Sequence, residues 1–178
     1  MQNQVLIPST QFALILDRLA HQLIEHHDFS ETDLVGLQPR GSRLAERLTA
    51  RLKELLPEAD VRCGKLDATF FRDDFRTHTK PLSPNVNDME FDVEGRHVVL
   101  VDDVLFTGRT VRAALDALTD YGRPARIELA VLVDRGHREI PVQPDYVAVA
   151  LETARMDHVV VRLKNTDGED AVELVRNQ

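Results

Sequence analysis

Residues 98–110 read Val-Val-Leu-Val-Asp-Asp-Val-Leu-Phe-Thr-Gly-Arg-Thr, and this stretch decides the fold. The apolar run from His97 to Val101 is typical of a strand buried on both faces. Two acids end the strand, a short Thr-Gly-x-Thr loop follows, and Thr110–Tyr121 has the spacing of a helix that ends near Gly122. A buried strand joined to a helix in this way is the repeating unit of an α/β protein.

The chain on both sides of this stretch alternates in the same manner. The predicted elements are a helix with Ser9 and Thr10 as N-cap candidates and Ile24 near its end; a strand Asp33–Leu37; a helix from Gly41 to Leu55; a strand Val61–Phe71, interrupted at Gly64; strands at Arg126–Val133, Tyr146–Ala150 and His158–Leu163; and an edge strand after Asp167. Strands that alternate with helices predict an α/β fold with a mostly parallel central sheet flanked by helices. We expect one domain over residues 1–178.

The composition excludes several classes of protein. The chain has 178 residues, 22 Lys+Arg, 30 Asp+Glu and a net charge of −8, with 43% hydrophobic and 29% charged residues. It therefore resembles an ordinary globular protein rather than a disordered one. A single cysteine excludes an intrachain disulfide framework. The N-terminal residues lack a signal-peptide pattern, and no apolar run is long enough for a membrane span, so we expect a cytoplasmic protein without membrane contact.

The segment from Asp102 to Thr110 carries the chemistry. The start of a helix presents unpaired N–H groups and a positive dipole end, which suit a phosphate. Gly108 lets the backbone approach such an anion closely, and the hydroxyls of Thr107 and Thr110 add donors. Asp102 and Asp103 would repel a phosphate, so they suit sugar hydroxyls, a metal or developing positive charge. Two acids alone are also a common strand cap, but the whole segment predicts a site for a ribose 5-phosphate.

Other phosphate-binding loops fit less well. Gly36–Ser42 has the two-glycine spacing of a P-loop, but Ser-Arg follows where Lys-Ser or Lys-Thr is needed. A Gly-x-Gly-x-x-Gly fingerprint does not occur in the sequence, so a dinucleotide site of that kind is not expected.

The segment 98–110 resembles the phosphoribosyl pyrophosphate (PRPP) motif of type I phosphoribosyltransferases. A wider resemblance is to PyrR, the family of pyrimidine-operon regulators with uracil phosphoribosyltransferase activity. It is carried by GRTVRAALDAL, YGRP and LAVLVDRGHREIP, and further upstream by DRLAHQLIE, LVGLQPRGSRLAERL and LDATFFRDDF. The resemblance covers about residues 10 to 165. The VDRGHREIP segment selects the pyrimidine family, because purine and orotate enzymes share the PRPP motif itself.

The resemblance implies transfer from PRPP to uracil, which gives UMP and diphosphate with Mg²⁺ as cofactor. Asp102 and Asp103 would hold the ribose hydroxyls and meet the metal indirectly, through PRPP. The 5-phosphate would be bound by Val104, Leu105, Phe106, Thr107, Gly108, Arg109 and Thr110. Arg40 and Gly41 match the family's pyrophosphate loop, and Arg40 completes the catalytic set with the two acids. The base would lie against a loop that contains Val133, Asp134, Arg135 and Arg138.

Two loops receive more specific expectations. Pro39 stands where relatives more often carry Thr, and we expect a cis Gln38–Pro39 bond, because the preference of an X–Pro bond for trans is small. The stretch 72–92 has no periodicity and is long, so it is expected to form a lid over the site. Arg72 and Arg76 would contact pyrophosphate when the lid closes; alternatively, each is a solvated charge paired with Asp73 or Asp74.

A second function class, an RNA-binding regulator that responds to UMP, stays open. Arg18, His21 and Arg138 match the family's RNA surface, whereas Asp17, His26, Gln143 and Val149 depart from it. Because RNA affinity depends on Lys and Arg contacts to phosphate, we expect weakened binding to messenger RNA. A PRPP-binding module without activity, or with another base, is the third hypothesis. A homodimer or homotetramer is the expected assembly.

Overall fold

The computed structural model describes residues 2–71 and 87–176. Eight strands and four α-helices follow one another in these residues: β1 (Gln2–Ile7), α1 (Ser9–His26), β2 (Thr32–Leu37), α2 (Arg40–Leu55), β3 (Arg62–Leu66), β4 (His97–Leu105), α3 (Arg109–Leu118), β5 (Arg126–Asp134), β6 (Tyr146–Ala150), β7 (His158–Arg162), α4 (Lys164–Asp167) and β8 (Ala171–Arg176). Short 3-10 turns cover Thr69–Phe71 and Thr119–Tyr121.

Five strands form the central sheet in the order β3-β2-β4-β5-β6, and every pair in it is parallel. The predicted α/β fold with a parallel central sheet is therefore confirmed. The strand β4 lies in the middle, where Leu100 pairs with Val35 of β2 on one side and with Leu129 of β5 on the other. Parallel strands bring all their carboxyl ends to one edge, and ligands of such sheets bind at that edge.

The alternation of side chains along β4 divides the core between the two faces of the sheet. Val99 and Val101 are buried in a cluster with α1 and α2, whereas Val98 and Leu100 are buried in a cluster with α3. Because β4 has helices on both faces, its apolar residues are continuous rather than alternating. The strand continues past the predicted end at the two acids to Leu105, whose side chain is buried in the cluster with α3, so Asp102 and Asp103 lie near the carboxyl end of β4 rather than after it.

A second, antiparallel sheet has the order β1-β8-β7. This corrects two expectations. The strand after Asp167 is the middle strand of this sheet and not an edge strand, and β7 pairs with it rather than with the central sheet. The strand β1 is an additional element that helical and strand periodicity did not predict.

Two local predictions are also wrong. The N-cap of α1 is Pro8, and no side chain among the described residues caps this helix, so neither Ser9 nor Thr10 takes that role. The strand β3 ends at Leu66, and Gly64 lies inside it without interrupting it. A methyl group on Gly64 would come within 2.3 Å of the Met89 Sδ, so glycine serves close packing there. None of the helices in the described residues has the length and apolar character that a membrane span requires.

Candidate active site

The two acids of the predicted site lie at the carboxyl end of β4. Asp102 is buried and Asp103 is half-buried. The backbone N–H of Asp103 donates to the Asp102 Oδ1 at 2.9 Å, and that of Val104 donates to the Asp103 Oδ1 at 2.9 Å. Burial raises the pKa of Asp103, while the hydrogen bonds and the charge of Arg40 oppose this effect. The carboxylates are thus fixed by their own backbone, with acceptor capacity left for sugar hydroxyls.

The loop after these acids turns into α3 through a left-handed glycine. Gly108 has φ 89° and is the N-cap of α3, so this position offers no side chain to cap the helix, while the Arg109 N–H lies 3.4 Å from the Thr107 Oγ1. The first N–H groups of α3 therefore have no capping acceptor from that position, which is the condition for binding an anion at a helix N-terminus. Thr107 and Thr110 flank this point and are both half-buried. The structure thus brings the predicted phosphate-binding residues together.

The predicted base loop packs directly on residues 104–110, the segment predicted to bind the 5-phosphate and called the phosphate loop below. The carbonyl of Thr107 accepts from the N–H groups of Glu139 and Ile140 at 2.9 and 3.0 Å. The Arg138 guanidinium donates to the Phe106 carbonyl at 3.0 Å and to the Asp134 carboxylate at 2.7 Å. Arg138 therefore ties the end of β5 to the phosphate loop. Its charge is already engaged by Asp134.

Arg135 is a buried guanidinium rather than an exposed one. It donates to the carbonyls of Asp157 and Ala154 at 2.6 and 2.8 Å, and it lies 4.1 Å from the centre of the Phe106 ring. Desolvation lowers its pKa. The side chain therefore holds the loop 153–157 against Phe106.

The start of α2 lies against the end of β4. A methyl group on Gly41 would be 2.5 Å from the Val101 carbonyl oxygen and 3.1 Å from the Asp102 Oδ1, so only glycine allows this approach. The contact brings Arg40 and Gly41, the predicted pyrophosphate loop, beside the two acids. The Gln38–Pro39 peptide bond is cis, as the sequence predicted.

Arg40 is also bound to the second sheet, a contact that the sequence did not predict. Its Nη1 donates to the Val161 carbonyl at 2.6 Å and to the Asp167 Oδ2 at 2.7 Å. The hydrogen bond to Asp167 raises the pKa of Arg40, and the charge of Asp103 acts in the same direction. Asp167 lies 127 residues away in the sequence, so no local sequence pattern predicts this ion pair.

The predicted lid is only partly described. Arg72, Asp73 and Arg76 lie outside the described residues. Of the later part of the stretch, Asp88 pairs with Lys65 of β3 through both backbone hydrogen bonds. A cavity of about 390 Å³ opens between this segment and the predicted pyrophosphate loop, lined by Gln38, Pro39, Ser42, Arg43, Lys65, Asn87 and Asp88.

The residues predicted for RNA are engaged within the chain. Arg18 donates to the Ala148 carbonyl of β6, and His21 is bonded to the Asp17 carbonyl on α1. Asp17 also pairs with Arg51 at 2.6 Å. Asp17, the acid by which this chain departs from the family's RNA surface, therefore neutralises the neighbouring Arg51.

Comparison with known proteins agrees with this geometry. The hypoxanthine phosphoribosyltransferase of Staphylococcus aureus has the same fold, with a TM-score of 0.72 at 15% identity, covering 97% of this chain and 91% of that one. The fold and the site define a phosphoribosyltransferase, and residues 6–165 match the family model described as a phosphoribosyl transferase domain.

The relatives narrow this class. The protein of Nostoc punctiforme named "Bifunctional protein PyrR" is 50% identical over 171 residues, which cover 96% of this chain and 95% of that protein. The protein of the same name from Actinobacillus pleuropneumoniae is 46% identical over 176 residues, covering 98% and 97%. The chain therefore belongs to the PyrR proteins of the phosphoribosyltransferase family.

Proposed function

We propose that this protein is a uracil phosphoribosyltransferase that forms UMP and diphosphate from uracil and PRPP. The observation that carries the proposal is the end of β4. Asp102 and Asp103 offer acceptors for the two ribose hydroxyls, and the turn at Gly108 aims the start of α3 at the 5-phosphate. Membership of the PyrR group supports uracil as the base, because this family transfers to uracil.

In this proposal the protein acts by positioning and by electrostatics. Departure of pyrophosphate leaves positive charge on the ribose, and the carboxylate of Asp103 lies in a desolvated position where it stabilises such charge. Arg40 stabilises the negative charge of the departing pyrophosphate, because its guanidinium offers donors in a fixed plane. The Asp102 side chain is buried and Asp103 is half-buried, and the segment 72–92 is proposed to close over the site and exclude water.

The donor set suits a Mg²⁺ ion that is bound largely through the substrate. Within residues 2–71 and 87–176, no three His, Cys, Asp or Glu side chains are grouped so that they could hold a metal. Mg²⁺ usually keeps several waters and is bound in part through substrate phosphates, so Asp102 and Asp103 would meet it indirectly, through PRPP. When bound, the ion would neutralise part of the charge on pyrophosphate.

The test is an assay of purified protein with Mg²⁺, PRPP and radiolabelled uracil, run beside hypoxanthine and orotate. UMP formed from uracil alone supports the proposal. Nucleotide formed from hypoxanthine or orotate instead would assign another base to the same fold. Binding of PRPP without any nucleotide product would point to a nucleotide-sensing protein.

A second candidate function is binding of pyrimidine-operon messenger RNA in response to UMP. The word "Bifunctional" in the relatives' names favours it. Arg18, His21 and Arg138 are the proposed contacts, and weak binding is expected because Asp134 and Asp17 lie against them. A titration of labelled leader RNA at physiological salt, with and without UMP, tests this. Nanomolar affinity would overturn the ranking of the two functions.

We further propose that the protein works in the cytoplasm as a homodimer or homotetramer. The support is the relationship to the PyrR proteins. Light scattering coupled to size-exclusion chromatography measures the assembly, and a monomer at micromolar concentration would contradict it.

A further inference from the structure

Two Arg–Asp pairs fasten α2 to the segment that precedes β8. Arg40 pairs with Asp167 at 2.7 and 3.3 Å, and Arg47 pairs with Asp170 at 2.6 and 2.9 Å. Both aspartates also accept a backbone N–H of their own segment, from Leu163 and from Lys164. The two pairs are therefore built alike, each with one carboxylate that holds a guanidinium and its own loop together.

Only the first pair touches the proposed site. Arg40 is the first residue of α2, next to Gly41 and within the electrostatic reach of Asp103. Arg47 lies two turns further along the helix, where its guanidinium stacks over the ring of Phe12 at 5.2 Å. Asp167 therefore affects the proposed site by fixing Arg40, whereas Asp170 affects the packing of α2 on the core by fixing Arg47.

The geometry of Arg40 leaves one edge of its guanidinium facing away from Asp167. Nη1 bonds to Val161 and Asp167, and Nη2 bonds to Asp167, so the carboxylate meets the end of the guanidinium. Among the residues that the structure describes, none bonds to Nε, and Nη2 uses only one of its two N–H groups on Asp167, so the side edge that Nε forms with the second Nη2 N–H has no protein partner there. A planar guanidinium can bind two anions at once, one at its end and one at its side, because its five donors point outward in a fixed plane.

We infer that Asp167 is a positioning residue for substrate binding: it holds the end of Arg40 so that the side edge is ready for the pyrophosphate of PRPP. The strand β7 and the helix α4 thereby contribute to the site, through the Val161 carbonyl and the Asp167 carboxylate. This inference deepens the proposed function, because it rests on Arg40 acting at the pyrophosphate. The opposite view is that Asp167 competes with pyrophosphate for the same guanidinium. The two views predict changes of opposite sign.

Asp167→Asn is the decisive variant, because asparagine keeps the size of the side chain and removes its charge. An amide presents an N–H group as well as an oxygen to Arg40, so the two-point contact is lost. We expect the Kd for PRPP to rise about tenfold, equivalent to about 1.4 kcal/mol. UMP has no pyrophosphate, so its Kd should change less than twofold. Asp170→Asn is the matched control and should leave both constants within twofold of the wild type.

The experiment is calorimetric titration of the full-length protein with PRPP and, separately, with UMP, in the presence of Mg²⁺. Arg40→Lys and the double variant Arg40→Lys/Asp167→Asn complete a cycle. Arg40→Lys should weaken PRPP binding by itself, and Asp167→Asn should add less than twofold in that background. This non-additivity is a signature that a purely structural role would not give.

Each outcome decides the inference. Tighter PRPP binding by Asp167→Asn shows competition and overturns it. An unchanged PRPP constant, equal losses for PRPP and UMP, or equal effects of the two Asp variants also overturn it. The proposed function fails separately: a wild-type protein that binds PRPP but makes no UMP from uracil overturns the activity and leaves the role of Asp167 in PRPP binding intact.

Discussion

Replacement of Gly108 by alanine tests whether the turn into α3 forms the phosphate site. Gly108 has φ 89°, a region that costs a residue with a Cβ roughly 1–2 kcal/mol. The added methyl group would lie 3.2 Å from the Ile140 Cβ and 3.5 Å from the Val142 Cβ, so the base loop must also move. The backbone cost lowers the stability of the fold, and the shift of the loop with Ile140 and Val142 moves the N–H groups that would bind the phosphate.

The two effects have separate readouts. For a chain of this length, a loss of about 1–2 kcal/mol corresponds to a fall in Tm of about 2–8 °C. If one hydrogen bond to the phosphate is lost, worth about 1.5–3 kcal/mol for a charged partner, the KM for PRPP should rise at least about tenfold. The assay is thermal unfolding followed by steady-state kinetics with uracil in excess.

Gly95→Ala is the matched control for this experiment. Gly95 has φ 68°, but a methyl group there would meet nothing within 4 Å, and the residue lies in the turn before β4. It should lose similar stability and keep the wild-type KM for PRPP. A Gly108→Ala protein that is destabilised but binds PRPP normally would refute the assignment of the phosphate to this turn, as would an equal rise in KM for Gly95→Ala.

Three further predictions concern other residues. Asp103→Asn and Thr107→Ala should each lower uracil phosphoribosyltransferase activity at least tenfold, with an unchanged circular dichroism spectrum. The loss reflects weaker hydrogen bonds to the ribose and the phosphate, equivalent to about 1.4 kcal/mol or more. Near-normal kinetics in both variants would contradict these roles. Asp33→Asn should destabilise the protein by about 3 kcal/mol, because the fully buried Asp33 carboxylate binds both Arg62 and Arg96. The loss is not larger because these two guanidinium groups keep some contact with water. A denaturant titration with an unchanged midpoint would argue against this prediction. Arg40 holds the pKa of Asp167 at about 2, against an ordinary 3.8. The stabilisation from this pair is therefore complete above pH 3.8 and is lost as the pH falls through about 2, so the difference in Tm between wild type and Asp167→Asn should shrink over that range; a difference that grows instead would show that the sign is wrong.

The sequence predicted the parallel central sheet and the succession of β4, loop and α3, because both depend on neighbouring residues. The run from His97 to Val101 shows a buried strand directly, and the Asp-Asp and Thr-Gly-x-Thr patterns lie within a few residues of one another. The close approach of Gly41 to Val101 and Asp102 was not predicted, because it depends on how α2 packs against the end of β4.

The second sheet was poorly predicted, because its strands come from both ends of the chain. β1 pairs with β8, and the pairing of Gln4 with Leu174 has no local signal. The contacts of Arg40 with Asp167 and of Arg135 with Asp157 likewise join segments that only the fold brings together. Arg135 is expected in the base loop, and its spacing along the chain gave no sign that its guanidinium is buried against the carbonyls of Ala154 and Asp157.

The most direct test of the account is a crystal structure of the protein with UMP bound. The phosphate is expected to accept hydrogen bonds from backbone N–H groups between Val104 and Thr110, with both ribose hydroxyls on Asp102 and Asp103. A phosphate bound at any other place, with the start of α3 left free, would contradict it.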